Sequence, residues 1–121
     1  MAKIDRLGRL DEQRIEMEGE YRVALIAALT RTAAGHWGLF DHHDDRRTRA
    51  VMAPTFDLLS ETGNAINRAR ERLSMPPFEL HRQFLASRGR PSPSAPGEPK
   101  QAQQWLDRLA RETSDSPHTA G

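Results

Sequence analysis

Between Asp5 and Ala34 the chain runs for thirty residues without a proline. The stretch LDEQRIEMEGEYRVALIAALTRTAA is rich in good helix formers. A helix over about 5–34 takes a quarter of a 121-residue chain, so the rest must be arranged along it. Its character changes midway. From Tyr21 to Leu29 it is apolar nearly all round, which marks a buried segment. Before Gly19 it is mostly polar, but Leu7, Leu10, Arg14, Met17 and Tyr21 recur at alternating spacings of three and four, a heptad-like seam. Two readings stay open there: a solvated lead-in to a core helix, or an arm that reaches a second chain.

Gly35 stops this helix, because glycine adopts the left-handed conformation without a Cβ penalty. Residues 41–53, DHHDDRRTRAVMA, form a polar connection with no period of its own. A second helix is predicted over about 54–73, since proline at 54 suits a first helical turn. Leu58, Leu59, Thr62, Ile66, Ala69 and Leu73 form its apolar stripe. SMPPF breaks the chain, and a third helix over about 77–88 would share Phe78, His81, Phe84 and Leu85 on one face, with Leu80 at its edge. Residues 90–98 read as a proline-rich linker. A last amphipathic helix over 99–112 sets Ala102, Trp105, Leu106 and Leu109 in one stripe, and 113–121 reads as a disordered tail. No stretch alternates with period two. The expected fold class is all-α: a small bundle of three core helices within residues 1–89, plus a C-terminal helix free to dock on its own chain or on another.

Composition narrows the function. The chain has no cysteine, which excludes disulfides and thiolate chemistry. No apolar run approaches the ~20 residues of a membrane span, and the N-terminus is charged throughout, so a cytoplasmic protein is expected. Net charge is +1, although sixteen of the eighteen basic residues are arginine. A dedicated nucleic-acid binder usually shows a clear basic excess.

The densest group of chemistry-bearing residues is GHWGLFDHHDD, 35–45. His36, Asp41, His42, His43 and Asp45 are candidate metal ligands, with Asp44 beside them. Adjacent side chains diverge, and no remote ligand set completes a three-point site, so no metal or other cofactor is expected. Trp37 and Phe40 read first as an apolar plug on the helix end, and second as an exposed anchor. No serine sits in a nucleophile elbow and no glycine-rich phosphate loop is present. Arg68, Arg72, Arg88 and Arg90 are the residues that would contact a nucleic-acid backbone.

The segments AAGHWGLF, PFELHRQFLASRG and APGEPKQAQQWLDRL make the chain similar to small uncharacterised bacterial proteins. That resemblance implies a bacterial origin and carries over no functional residue. The expected function is a non-catalytic helical interaction or regulatory protein, acting by self-association or on a protein partner, with Trp105, Leu106 and Leu109 as the leading contacts and Trp37 and Phe40 next. A nucleic-acid-binding regulator is the alternative. A metal-dependent enzyme using the histidine–aspartate loop is the third reading.

Overall fold

The computed structural model describes residues 2–43, 45–89 and 97–114. Every regular element among them is a helix: α1 (Ala2–Ala33), α2 (Arg46–Ala50), α3 (Ala53–Arg72), α4 (Glu79–Ala86) and α5 (Glu98–Ser114). The all-α expectation is met. None of these helices is long and apolar enough to cross a membrane. Most of the proline-rich linker and the tail from residue 115 lie outside the described residues.

α1 is the spine, and α3 and α5 pack along it. At 32 residues it is about 48 Å long, well beyond its two neighbours. Both run antiparallel to it. Arg70 near the end of α3 pairs with Glu18, while Thr55 near its start accepts from Arg31. Arg22 donates to the Leu109 carbonyl of α5. Residues 5–9 of α1 are exposed, so the helix projects past the bundle. The helix ends at Gly35, at φ 114°, with His36 N–H returning to the Arg31 carbonyl. This is a Schellman closure. α3 ends the same way without a glycine: Ser74 takes φ 58° and Met75 N–H returns to the Arg70 carbonyl.

The core is built from alternate turns. Tyr21, Leu25, Ala28 and Leu29 of α1 meet Leu59 and Ile66 of α3 and Ala102, Trp105 and Leu109 of α5. α4 contributes Phe84, whose ring lies 5.9 Å from Phe40, 6.2 Å from Phe56 and 6.3 Å from Trp105. The pairs with Phe40 and Trp105 are edge-to-face, a geometry that adds to what burial alone contributes. Two residues assigned to apolar stripes face outward instead: Leu58 on α3 and Leu85 on α4. Leu80 packs against the core in place of Leu85. The connection 41–53 also holds one turn of helix that its lack of periodicity hides. Asp45 caps it, accepting from the Thr48 N–H and hydroxyl.

The heptad-like seam resolves into intramolecular contacts over its second half. Arg14 binds Asp11 and Glu18, and Glu18 binds Arg70. Burial pushes the Glu18 carboxyl up, but hydrogen bonds from Arg70 and Arg14 outweigh it, so its pKa falls below the usual range.

One buried polar pair ties α1 to α4. The Tyr21 hydroxyl and His81 Nδ1 are 2.6 Å apart, and both side chains are buried. Burial raises the tyrosine pKa and lowers that of the imidazole. His81 is therefore neutral in the fold. The space for its ring is made by Gly63: a Cβ there would lie 2.4 Å from the imidazole. The imidazole cannot swing away without losing Tyr21. Gly63→Ala is expected to destabilise the chain by about 1–3 kcal/mol through overpacking, read in urea denaturation, with Asn64→Ala on the exposed face as the near-neutral control.

The same pair sets a pH dependence. The unfolded chain takes up a proton at His81 below its ordinary pKa of 6.5, while the folded chain resists it. This contribution is complete above pH 6.5 and is lost as pH falls below it. Midpoints of denaturation should drop between pH 7 and 5, above the carboxylate range, and His81→Gln should flatten that drop.

Candidate functional site

The sequence concentrates its chemistry in 36–45, and the structure shows what organises it. Gly38, Leu39 and Phe40 are buried. The N–H groups of Gly38, Phe40 and His42 converge on one carboxylate, that of Glu98 at the start of α5. Phe40 N–H lies 2.7 Å from Oε1, His42 N–H 3.2 Å from Oε2, and Gly38 N–H 3.1 Å from both oxygens. Glu98 is fully buried. The positive φ values of Gly38 and Asp41 curl the loop, so that N–H groups 38, 40 and 42 turn inward and form a backbone nest around one anion. Gly38 is required twice over. It sits at φ 122°, and a Cβ would lie 2.1 Å from the Arg49 carbonyl oxygen.

This arrangement uses the proposed metal ligands for other purposes. Asp41, at φ 61°, pairs with Arg49 at 3.1 Å. His42 lies 6.0 Å from the Phe40 ring, and both its ring nitrogens are buried without a hydrogen-bond partner among the described residues. His43 sets its ring edge-on to Trp37 and accepts from Asp45 N–H at Nδ1. His36 is exposed. Asp45 is the α2 cap. Among the described residues, no three His, Asp or Glu side chains are grouped to hold a metal ion. Asp44 lies outside those residues.

The apolar residues singled out for contact are used within the fold. Phe40 is fully buried and Trp37 half-buried, its ring against Gly97. Trp105 and Leu109 are buried and Leu106 partly so. Arg108 lies 4.0 Å over the Trp105 ring and closes its open face. The last helix thus docks on its own chain. Of the arginines considered for nucleic acid, Arg68 and Arg72 are exposed on α3. Arg88 is drawn inward: its guanidinium lies 3.5 Å over Phe56 and its Nε–H donates to the Leu39 carbonyl. Arg90 lies outside the described residues.

The surface that remains open is on α1. Ile15, Gly19, Val23, Ile26 and Ala27 are all exposed. At about 100° per residue they fall within an arc of roughly 120°, opposite Tyr21, Leu25 and Leu29. Val23 is 70% exposed and Ile15 55%. A shallow groove follows this strip, and a second one continues from Ala24 and Ala27 across to Pro54 and Leu58 of α3. Glu12, Glu16 and Glu20 border the strip at successive turns. None forms an ion pair among the described residues. Like charges at i, i+4 repel by a few tenths of a kcal/mol per pair. Sequence reading counted Val23, Ile26 and Ala27 within a segment buried all round, which the structure corrects, and drew the seam before Gly19 through other residues.

No family model matches the chain, and neither a curated protein nor a solved structure matches it. The class is therefore that of the fold alone, a small all-α bundle, and function is read from its surfaces.

The Glu98 cradle makes a direct prediction. Removing the carboxylate strands two buried N–H groups, those of Gly38 and Phe40, each costing about 1–3 kcal/mol, and the part-buried one of His42. Glu98→Ala should lower stability by about 3 kcal/mol or more and expose Trp105 to fluorescence quenchers at denaturant levels that leave the native bundle closed. Glu98→Gln, which retains an acceptor, should fall between the two.

Proposed function

We propose that this chain is a non-catalytic interaction protein that receives an amphipathic helix of a partner protein on the outward face of α1. The observation that carries the reading is the exposed strip Ile15–Gly19–Val23–Ile26–Ala27, continuous with Leu58 across the α1–α3 groove. A helix that is apolar nearly all round is ordinarily covered all round. Here α3 and α5 cover one side only. Gly19 flattens the centre of the strip, with nothing within 4 Å of its absent Cβ, so a second backbone can approach closely. The row Glu12, Glu16, Glu20 specifies the partner's flank. A helix with Lys or Arg beside its apolar stripe would relieve the repulsion within that row and keep register. Side chains at i, i+3, i+4 and i+7 would fill the groove.

The test uses the full chain immobilised in lysate of the cells that express it, beside Val23→Glu and Ile15→Glu variants of unchanged circular dichroism. The wild type should retain a polypeptide that both variants lose by about tenfold or more. The mapped contact should be a basic amphipathic helix, and its affinity should weaken as salt rises. Identical retention by all three proteins, with a strictly monomeric chain in light scattering, would sink the reading. A dimer lost in both variants would instead assign the strip to a second copy.

A further inference from the structure

At the opposite end of α1 from its projecting turns, three arginines meet around one cavity. Arg46 and Arg49 lie one turn apart on α2, and Arg88 follows α4. With Gly38, Asp41 and Phe56 they line a space of about 240 Å³. The cavity is independent of the α1 strip and of the reading built on it.

Each arginine has donor capacity that the fold leaves unused. Arg49 gives Nη1 to Asp41, but its Nε is buried with no acceptor among the described residues. Arg88 gives Nε to the Leu39 carbonyl and rests on the Phe56 ring. Its terminal nitrogens find no acceptor among those residues. Burial pulls the Arg88 pKa down; Asp41, Glu98 and Asp57 act in the opposite sense, yet none forms an ion pair with it. Glu98 is already engaged by backbone N–H groups, and Asp57 does not line the cavity. Arg46 is exposed and forms no ion pair among the described residues. The lining thus carries three guanidinium groups and one carboxylate.

Converging guanidinium forks match tetrahedral and planar oxyanions. The volume is below the roughly 300–1,000 Å³ of pockets that enclose drug-sized ligands. At about 240 Å³ the space is sized for a single small anion, with Gly38 and Phe56 in its lining. We infer that the cavity binds a phosphate group, as free phosphate or as the head of a small phosphate monoester, between Arg46, Arg49 and Arg88. The anion accepts from Arg49 Nη2, which the bond to Asp41 leaves free, and from the terminal nitrogens of Arg88, while Arg46 closes from the solvent side. Asp41 competes with it for Arg49 and so sets the affinity.

That competition gives the test a variant that must improve binding. The full chain is titrated with inorganic phosphate and separately with glycerol phosphate, at constant ionic strength held with chloride, following amide and arginine Nε–H resonances. Saturable shifts are expected at Gly38, Arg49 and Arg88. Arg49→Gln should weaken binding about tenfold and Arg46→Gln severalfold. Asp41→Asn should tighten it severalfold, because asparagine keeps the left-handed backbone and removes the competing charge. Saturation by free phosphate identifies the inorganic ion as sufficient, and saturation by glycerol phosphate alone identifies a phosphorylated metabolite. No saturation with either at tens of millimolar, or affinities unchanged in Arg49→Gln and Asp41→Asn, would overturn the proposal.

Discussion

A carboxylate without solvent holds the two ends of this fold together. Glu98 is buried, and an ionised group taken out of water is costly unless every lone pair is met. The fold meets this demand with backbone N–H groups of Gly38, Phe40 and His42, and no ion pair to Glu98 is formed among the described residues. The solution constrains both partners. The loop must keep its curl from 38 to 42, with Gly38 and Asp41 at positive φ, for the N–H groups to converge, and Glu98 must sit in the first turn of α5. The bond set is therefore also an address. It fixes where α5 begins and hence which of its faces meets α1.

Everything buried by α5 follows from that placement. Ala102, Trp105 and Leu109 recur on the face that Glu98 turns inward. Trp105 then meets Phe84, which also touches Phe40 from the loop and Phe56 from α3. The cluster is centred on Phe84, so shifting that one ring removes a contact from each of the other three. The short α4 depends on it: eight residues cannot sustain a helix alone, and Phe84 with His81 anchors it on two sides. In a chain of this size, with 36% hydrophobic residues, no element could be spared from the core.

How far the sequence discloses this depends on the range of each signal. Periodicity and end signals are local, so α1, α3, α4 and α5 were legible to within a few residues, as were the stop at Gly35 and the start near Pro54. α2 was not, because five residues carry no period. Its one mark was Asp45 three places before Thr48, which reads as easily as part of a metal-ligand run. The stripe on α3 was drawn too wide. Spacing shows that Leu58 and Leu59 are both near the apolar face, but only the position of α1 decides which is covered. The Glu98 cradle was invisible, since its partners lie 56–60 residues away and use main-chain N–H groups that every sequence has. Gly63 did leave a sign: a glycine inside an otherwise regular helix costs about 1 kcal/mol and so marks a close approach, here the His81 ring.

The exposed strip on α1 follows from the same economy of elements. A segment apolar on all sides, Tyr21 to Leu29, needs three neighbours to be enclosed, and this chain supplies two long ones. α3 and α5 take the side of Tyr21, Leu25 and Leu29, and Val23, Ile26 and Ala27 are left on the other. Nothing in the bundle's own stability calls for large aliphatic side chains there, since polar residues at those positions would leave every buried contact in place. Single exposed aliphatics are common on protein surfaces. Five apolar positions in register, continuous with Leu58 and edged by three carboxylates without counter-ions among the described residues, are a different matter. Their pattern is that of the inner face of a helix, on a side that no helix among the described residues covers.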